Sequence, residues 1–154
     1  MQNIQYLLAQ YGESHQHKTN KIIHWICVPI IFFSIVGFLY AIKLPLFWHL
    51  YQLNVAFIVT FFAILYYIKL SPSLAIGMFI FCTICLLIAH FVEQSGVIQL
   101  WVFCSIFFIL AWIGQFYGHN IEGKKPSFLK DIQFLMIGPA WLMSFLYKKI
   151  GIKL

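Results

Sequence analysis

Four apolar runs, each close to the length that crosses a bilayer, dominate this chain. They extend from about Ile22 to Ile42, Leu46 to Ile68, Leu74 to Val92 and Val97 to Gly118. A helix rises 1.5 Å per residue, so about 20 residues span the ~30 Å of hydrocarbon. The breaks carry turn chemistry: Lys43-Leu44-Pro45, Ser71-Pro72-Ser73 and Glu93-Gln94-Ser95-Gly96. A mean hydropathy of +0.89, with 9% charged residues, is far outside the range of a soluble domain. The chain reads as an all-α integral membrane protein, one membrane domain over residues 1–154 with four transmembrane helices. The runs are apolar all round. That excludes the short alternating segments of a transmembrane β-barrel. The first 20 residues are polar, so the first long run is expected to serve as the targeting signal in place of a cleaved peptide.

Lysines orient the bundle. All ten basic residues are lysine. With both termini cytoplasmic, nine lie inside: Lys18, Lys21, Lys69, Lys124, Lys125, Lys130, Lys148, Lys149 and Lys153. Lys43 alone lies outside, where the last external turn carries Glu93. This is the positive-inside pattern. The net charge of +6 then faces anionic headgroups, and no nucleic-acid partner is expected. The membrane is a bacterial inner membrane or the endoplasmic reticulum.

The two ends differ from the middle. Ile4, Leu7, Leu8, Tyr11 and His15 make one helical stripe, so an N-terminal amphipathic helix is expected to lie on the membrane. Near the C-terminus, residues 131–147 hold a short apolar stretch, Phe134 to Leu146, broken by Gly138-Pro139 and flanked by lysines on both sides. An interfacial or re-entrant helix suits it. A fifth span with a proline kink is the alternative.

Polar residues gather at two places. One is Tyr11-x-x-x-His15-x-x-x-x-Asn20-x-x-x-His24; the other is Gln115 to Pro126, with His119, Glu122, Lys124 and Lys125. On one continuous helix His15 and His24 would point in opposite directions. A shared site therefore needs a chain break, expected at Lys18-Thr19-Asn20, with Thr19 or Asn20 as helix cap. His24 then opens the first span and His119 closes the fourth, so His15, His24 and His119 fall at one depth on the cytoplasmic side. Neutral imidazoles bind iron or zinc, and three ligands leave open positions for reaction. Glu122, three residues past His119, could supply the carboxylate of a two-histidine, one-carboxylate iron site. Taken singly, a histidine at this depth is as often an interfacial anchor, and Asn20 is as easily a helix cap as a catalytic residue.

The remaining polar residues say less. His17 reads as a solvated neighbour of His15. His49, with Gln52 and Asn54, opens the second span on the outer side, and His90 ends the third there. A helix of 20 residues is about 30 Å long, so His90 joins His119 only if this topology fails. Cys82-x-x-Cys85 has a redox or zinc spacing but lies inside an apolar span with no second pair; packing explains it better. A haem held by His24 and His119 is a second functional reading, and a metal-free structural membrane protein a third. A membrane di-iron enzyme would need more than the six histidines here, some of them adjacent.

The segments Tyr11-Gly-Glu-Ser-His15, Asn20 to Pro29, Gly114-Gln115-Phe116-Tyr117-Gly118-His119 and Glu122-Gly123-Lys124-Lys125-Pro126 resemble a known family. It contains the fungal 2-hydroxy fatty acid dioxygenase of phytosphingosine degradation. The likeness runs from about Tyr11 to Tyr147, with its specificity in the two polar blocks. The resemblance implies an Fe(II)-dependent dioxygenase that shortens a 2-hydroxy fatty acid by one carbon, with molecular oxygen and release of carbon dioxide. Under it, His15, His24 and His119 hold iron, and zinc is possible in a purified sample. Asn20, Gln115 and Glu122 are catalytic candidates, with Asn20 and Gln115 orienting ligands. Lys124 and Lys125 draw in the anionic head of the substrate. The fungal pattern has one more residue between the positions of His119 and Glu122.

Overall fold

The computed structural model describes residues 4–44, 53–123 and 128–154, with side chains in the last stretch from residue 135 onward. These residues form six α-helices: α1 (Ile4–Gly12), α2 (Lys18–Ala41), α3 (Val55–Leu70), α4 (Pro72–Ser95), α5 (Leu100–Glu122) and α6 (Phe128–Ile150). Among the described residues there is no strand, only an isolated antiparallel bridge between Lys43 and Asn54. Helices α2, α4 and α5 are long and apolar enough to cross a membrane. Helix α3 is apolar but has 16 residues. At 1.5 Å per residue that is about 24 Å, short of a full hydrocarbon thickness. The second span was expected from Leu46, but the helix starts at Val55, where Asn54 accepts a hydrogen bond from the Phe57 N–H at 3.3 Å. Residues 45–52, including His49, lie outside the described residues.

Helices α2 and α5 pack antiparallel along their full lengths and make the most extensive contact in the fold. Between lipid-immersed helices there is no hydrophobic gain, so close backbone approach must supply the attraction. Small residues allow it. A side chain on Gly37 would strike Cys104, one on Gly114 would meet Cys27 Sγ at 2.7 Å, and one on Gly118 would strike Asn20. Helices α3 and α4 form a tight hairpin at Ser71, which caps α4, with Pro72 opening that helix. The buried stripe of α2 continues downward from Asn20 and His24 through Cys27, Val28, Ile31 and Phe32.

Helix α6 closes one end of this bundle. The Tyr67 hydroxyl donates to the Met136 carbonyl at 2.6 Å, near the end of α3. The Tyr147 hydroxyl donates to the Ser73 carbonyl at 2.7 Å, near the start of α4. A side chain on Gly138 would meet Tyr11 and Val28 at 3.1 Å. These partners all belong to the same end, which carries the start of α2 and the close of α5. Helix α1 packs on α6, and its stripe of Ile4, Leu7, Leu8 and Tyr11 is buried against protein. The stripe was expected to face the membrane; it packs on α6 instead, where the Trp141 ring lies 5.3 Å from that of Tyr11. Each large apolar side chain so buried contributes about 1.5–3 kcal/mol relative to water.

Candidate metal centre

Each histidine arrives on a different piece of chain. Helix α1 ends at Gly12, and a short turn follows in which the His15 N–H donates to the Gly12 carbonyl at 3.0 Å. Helix α2 starts at Lys18, with His17 as its cap; the His17 ring accepts from the Thr19 N–H at 3.2 Å. The chain therefore breaks between His15 and His24 as the spacing demands, but before Lys18. Neither Thr19 nor Asn20 is the cap, because Asn20 is drawn into the interior of the first turn. His24 sits in the second turn of α2, and His119 in the last turn of α5.

The three rings meet. Centroids are 4.1 Å apart for His15 and His24, 5.0 Å for His24 and His119, and 5.3 Å for His15 and His119, all edge-on. One nitrogen from each lies within 4.8 Å of the others. His15 and His24 are 3% and 1% exposed, so the meeting point is shut off from bulk solvent on their side. The His15 Nδ1 donates to the Tyr11 carbonyl at 2.6 Å, and the His24 Nδ1 to the Asn20 carbonyl at 2.9 Å. A carbonyl can only accept, so both Nδ1 atoms carry hydrogen, which in a neutral ring makes Nε2 the acceptor atom. This is the tautomer a metal-ligating histidine needs, fixed by a backbone acceptor. Metal–nitrogen bonds of about 2.1 Å set ligand nitrogens around one ion about 3–3.5 Å apart, so modest ring rotation brings this set to an ion. The donor set fits a metal.

Around the rings the packing is aromatic and amide. Tyr11 stacks on His15 with centroids 4.3 Å apart, and Trp141 leans on both rings at 5.3 and 5.4 Å. Gln115, buried on α5, lies beside the His24 side chain. Asn20 is fully buried; its Nδ2 donates to Glu122 Oε2 at 3.0 Å and to the Ser14 carbonyl at 3.4 Å. Its Oδ1 has no hydrogen-bond donor and lies where a side chain on Gly118 would begin.

A family model described as 2-hydroxy-palmitic acid dioxygenase Mpo1-like matches residues 1–150. The chain belongs to the Mpo1-like family. A curated relative is the 2-hydroxy-palmitic acid dioxygenase MPO1 of Saccharomyces cerevisiae, 30% identical over 151 residues, covering 92% of this chain and 78% of that protein. No solved structure matches this Mpo1-like chain.

The candidates named from sequence separate into groups. His15, His24 and His119 come together as one possible metal-holding group, with Asn20 and Gln115 against them. Glu122 is not part of that group. Its carboxylate accepts from the Gln16 N–H at 2.8 Å, the His17 N–H at 2.9 Å and Asn20. Lys124 and Lys125 lie outside the described residues. His90 bonds the Tyr40 hydroxyl at 3.1 Å at the other end of α2, beside a Lys43–Glu93 ion pair of 2.7 Å. From His24 to Tyr40 is 16 residues, about 24 Å along the helix, so His90 stays far from the three rings. Cys82 and Cys85 are buried and form no disulfide with each other. Three contributors escaped the sequence reading. Trp141 gave no signal. Gly114 and Gly118 did: Gly-x-x-x-Gly in an apolar helix marks a close helix–helix contact.

Proposed function

We propose that this Mpo1-like protein is an Fe(II)-dependent dioxygenase that converts a long-chain 2-hydroxy fatty acid to the acid one carbon shorter, releasing carbon dioxide. The observation that carries the reading is the buried meeting of His15, His24 and His119, with the ring protons of His15 and His24 held by backbone carbonyls. The yeast relative is named for the same substrate class. When bound, Fe(II) supplies open coordination positions and redox chemistry.

The stoichiometry is self-contained. Oxidising the hydroxyl-bearing carbon to a carboxyl and the old carboxyl to carbon dioxide removes four electrons. One dioxygen accepts four, giving one water, so no separate reductant is required. The protein must then hold the substrate head and keep water out. Tyr11 and Trp141 wall off His15, and Gln115 steadies His24. Lys124 and Lys125 attract the substrate carboxylate from the headgroup layer. The acyl chain stays in lipid or between helices.

In this reading four helices, α2 to α5, cross the membrane, α3 only just. Both termini are cytoplasmic, and α6 lies along the cytoplasmic surface as a lid on the bundle. A haem between His24 and His119 is disfavoured. A macrocycle needs a flat slot, whereas His15 packs edge-on against both rings.

The test is direct. Purified protein with Fe(II) and dioxygen is given 2-hydroxy fatty acids of several chain lengths, and products are read by mass spectrometry with oxygen uptake in parallel. The shortened acid and carbon dioxide are expected in equal amounts. Iron-loaded protein that consumes no oxygen with any of them refutes the activity.

A further inference from the structure

We propose that Glu122 is the positioning residue of the metal centre, acting through hydrogen bonds to the chain segments that carry the histidines and not as a ligand. The proposal rests on the metal-centre reading above.

The geometry is specific. Oε1 accepts from the Gln16 N–H at 2.8 Å; Oε2 accepts from the His17 N–H at 2.9 Å and from Asn20 Nδ2 at 3.0 Å. Gln16 directly follows His15. Asn20 holds the His24 ring through its own backbone carbonyl. Glu122 itself lies one helical turn beyond His119, on the same helix. One carboxylate thus ties together all three pieces of chain that deliver imidazoles. Such bonds, with an ionised acceptor, are about twice as strong as neutral ones. The anion also sits at the N-terminus of α2, the positive end of that helix dipole.

The same geometry argues against ligation. To turn toward an ion, the carboxylate would abandon two backbone N–H groups at a helix start. Those groups have no intrahelical acceptor there and would need replacement partners. Both oxygens are committed, so the carboxylate acts by holding the imidazoles in place before the ion arrives.

Two variants separate the possibilities. Glu122→Gln replaces an oxygen acceptor with a donor that faces N–H groups. His17→Pro leaves the carboxylate intact but deletes one N–H that it binds. The His17 φ of −66° is the angle a proline imposes, and His17→Ala, which loses the same ring bond to the Thr19 N–H but keeps the backbone N–H, is its control. Co(II) serves as a spectroscopic stand-in for Fe(II). Affinity is read by chelator competition, the ligand set by the visible absorption bands, and the metal-free fold by thermal unfolding. Tyr67→Phe, which removes only the hydroxyl bond to the Met136 carbonyl, reports what general loosening of this end of the bundle does.

Glu122→Gln is expected to weaken Co(II) binding about 10–100-fold, the usual range for residues that orient ligands. The bands of bound Co(II) should keep their positions and intensities. His17→Pro should show a smaller loss in the same direction, and Tyr67→Phe none. Unchanged affinity in both site variants refutes positioning. Equal losses in Tyr67→Phe refute it as well. Altered bands in Glu122→Gln, with His17→Pro like wild type, would make Glu122 a ligand. Should Glu122→Gln fail to fold, His17→Pro decides. Wild-type protein that takes up neither Co(II) nor Fe(II) refutes the metal centre itself, a result independent of every variant.

Discussion

Replacing Gly118 with alanine tests how α2 and α5 bring the imidazoles together. The new methyl would be built on top of Asn20 Oδ1. Asn20 cannot simply step aside: it is fully buried, and its amide is tied to Glu122 and Ser14. Either the helices separate or the amide leaves. Overpacking of this kind costs about 1–3 kcal/mol. Losing the amide bond to the carboxylate costs about 1.5–3 kcal/mol, and the long bond to the Ser14 carbonyl adds little. If Gly118→Ala expels the amide, those bonds are already broken in that background. Asn20→Ala should then cost almost nothing more, and the double variant should resemble Asn20→Ala alone. The coupling energy is therefore expected at about 1–3 kcal/mol, within the range seen for residues in contact. Denaturant titration of the four proteins in one detergent measures it, and Co(II) affinity should fall in parallel. Additivity to within about 0.5 kcal/mol would show that Gly118 and Asn20 do not share the contact described here.

Three further outcomes follow from the same geometry. Alanine at His15, His24 or His119 should each deplete bound iron or zinc by elemental analysis; full metal content in all three variants would remove the centre. Because ligation needs neutral imidazole, wild-type metal affinity should decline as pH falls below the ~6.5 of free histidine, and equilibrium dialysis across that range checks it. Single cysteines near Lys21, Gln94 and Lys153, on a background without Cys27, Cys82, Cys85 and Cys104, should label from outside only at Gln94. Labelling at Lys153 would mean that α6 crosses the bilayer.

The helices were legible from their apolar lengths because a bilayer leaves a chain few other options. The meeting of the three histidines was legible because consecutive antiparallel helices return to the same end of a bundle, a constraint that needs no side-chain detail. Where α3 starts was not: Leu46, Phe47 and Leu50 look like helix interior, and only the cap at Asn54 marks the boundary. Helix α6 is longer than its apolar middle, since Lys148 and Lys149 continue its last turn. The engagement of Glu122 had no signature at all. Two of its three partners are backbone N–H groups more than a hundred residues away, and backbone groups leave no mark in residue identity.

The three imidazoles come from residues 15, 24 and 119, so the candidate metal site is discontinuous in a way that bears on biogenesis. A membrane chain is delivered N-terminus first. Helix α2 enters the bilayer with Asn20 and His24 already in place, but the helix that encloses them is the fourth to follow α1 in the α2–α5 series. Until α5 inserts and its Gly114 and Gly118 seat against α2, there is no third ligand and no carboxylate at the start of α2. Under the proposed function, metal capture would therefore be a late event in assembly. An ion that joins the first-made and last-made spans would also act as a seal on the finished bundle, resisting its disassembly by the full free energy of its binding.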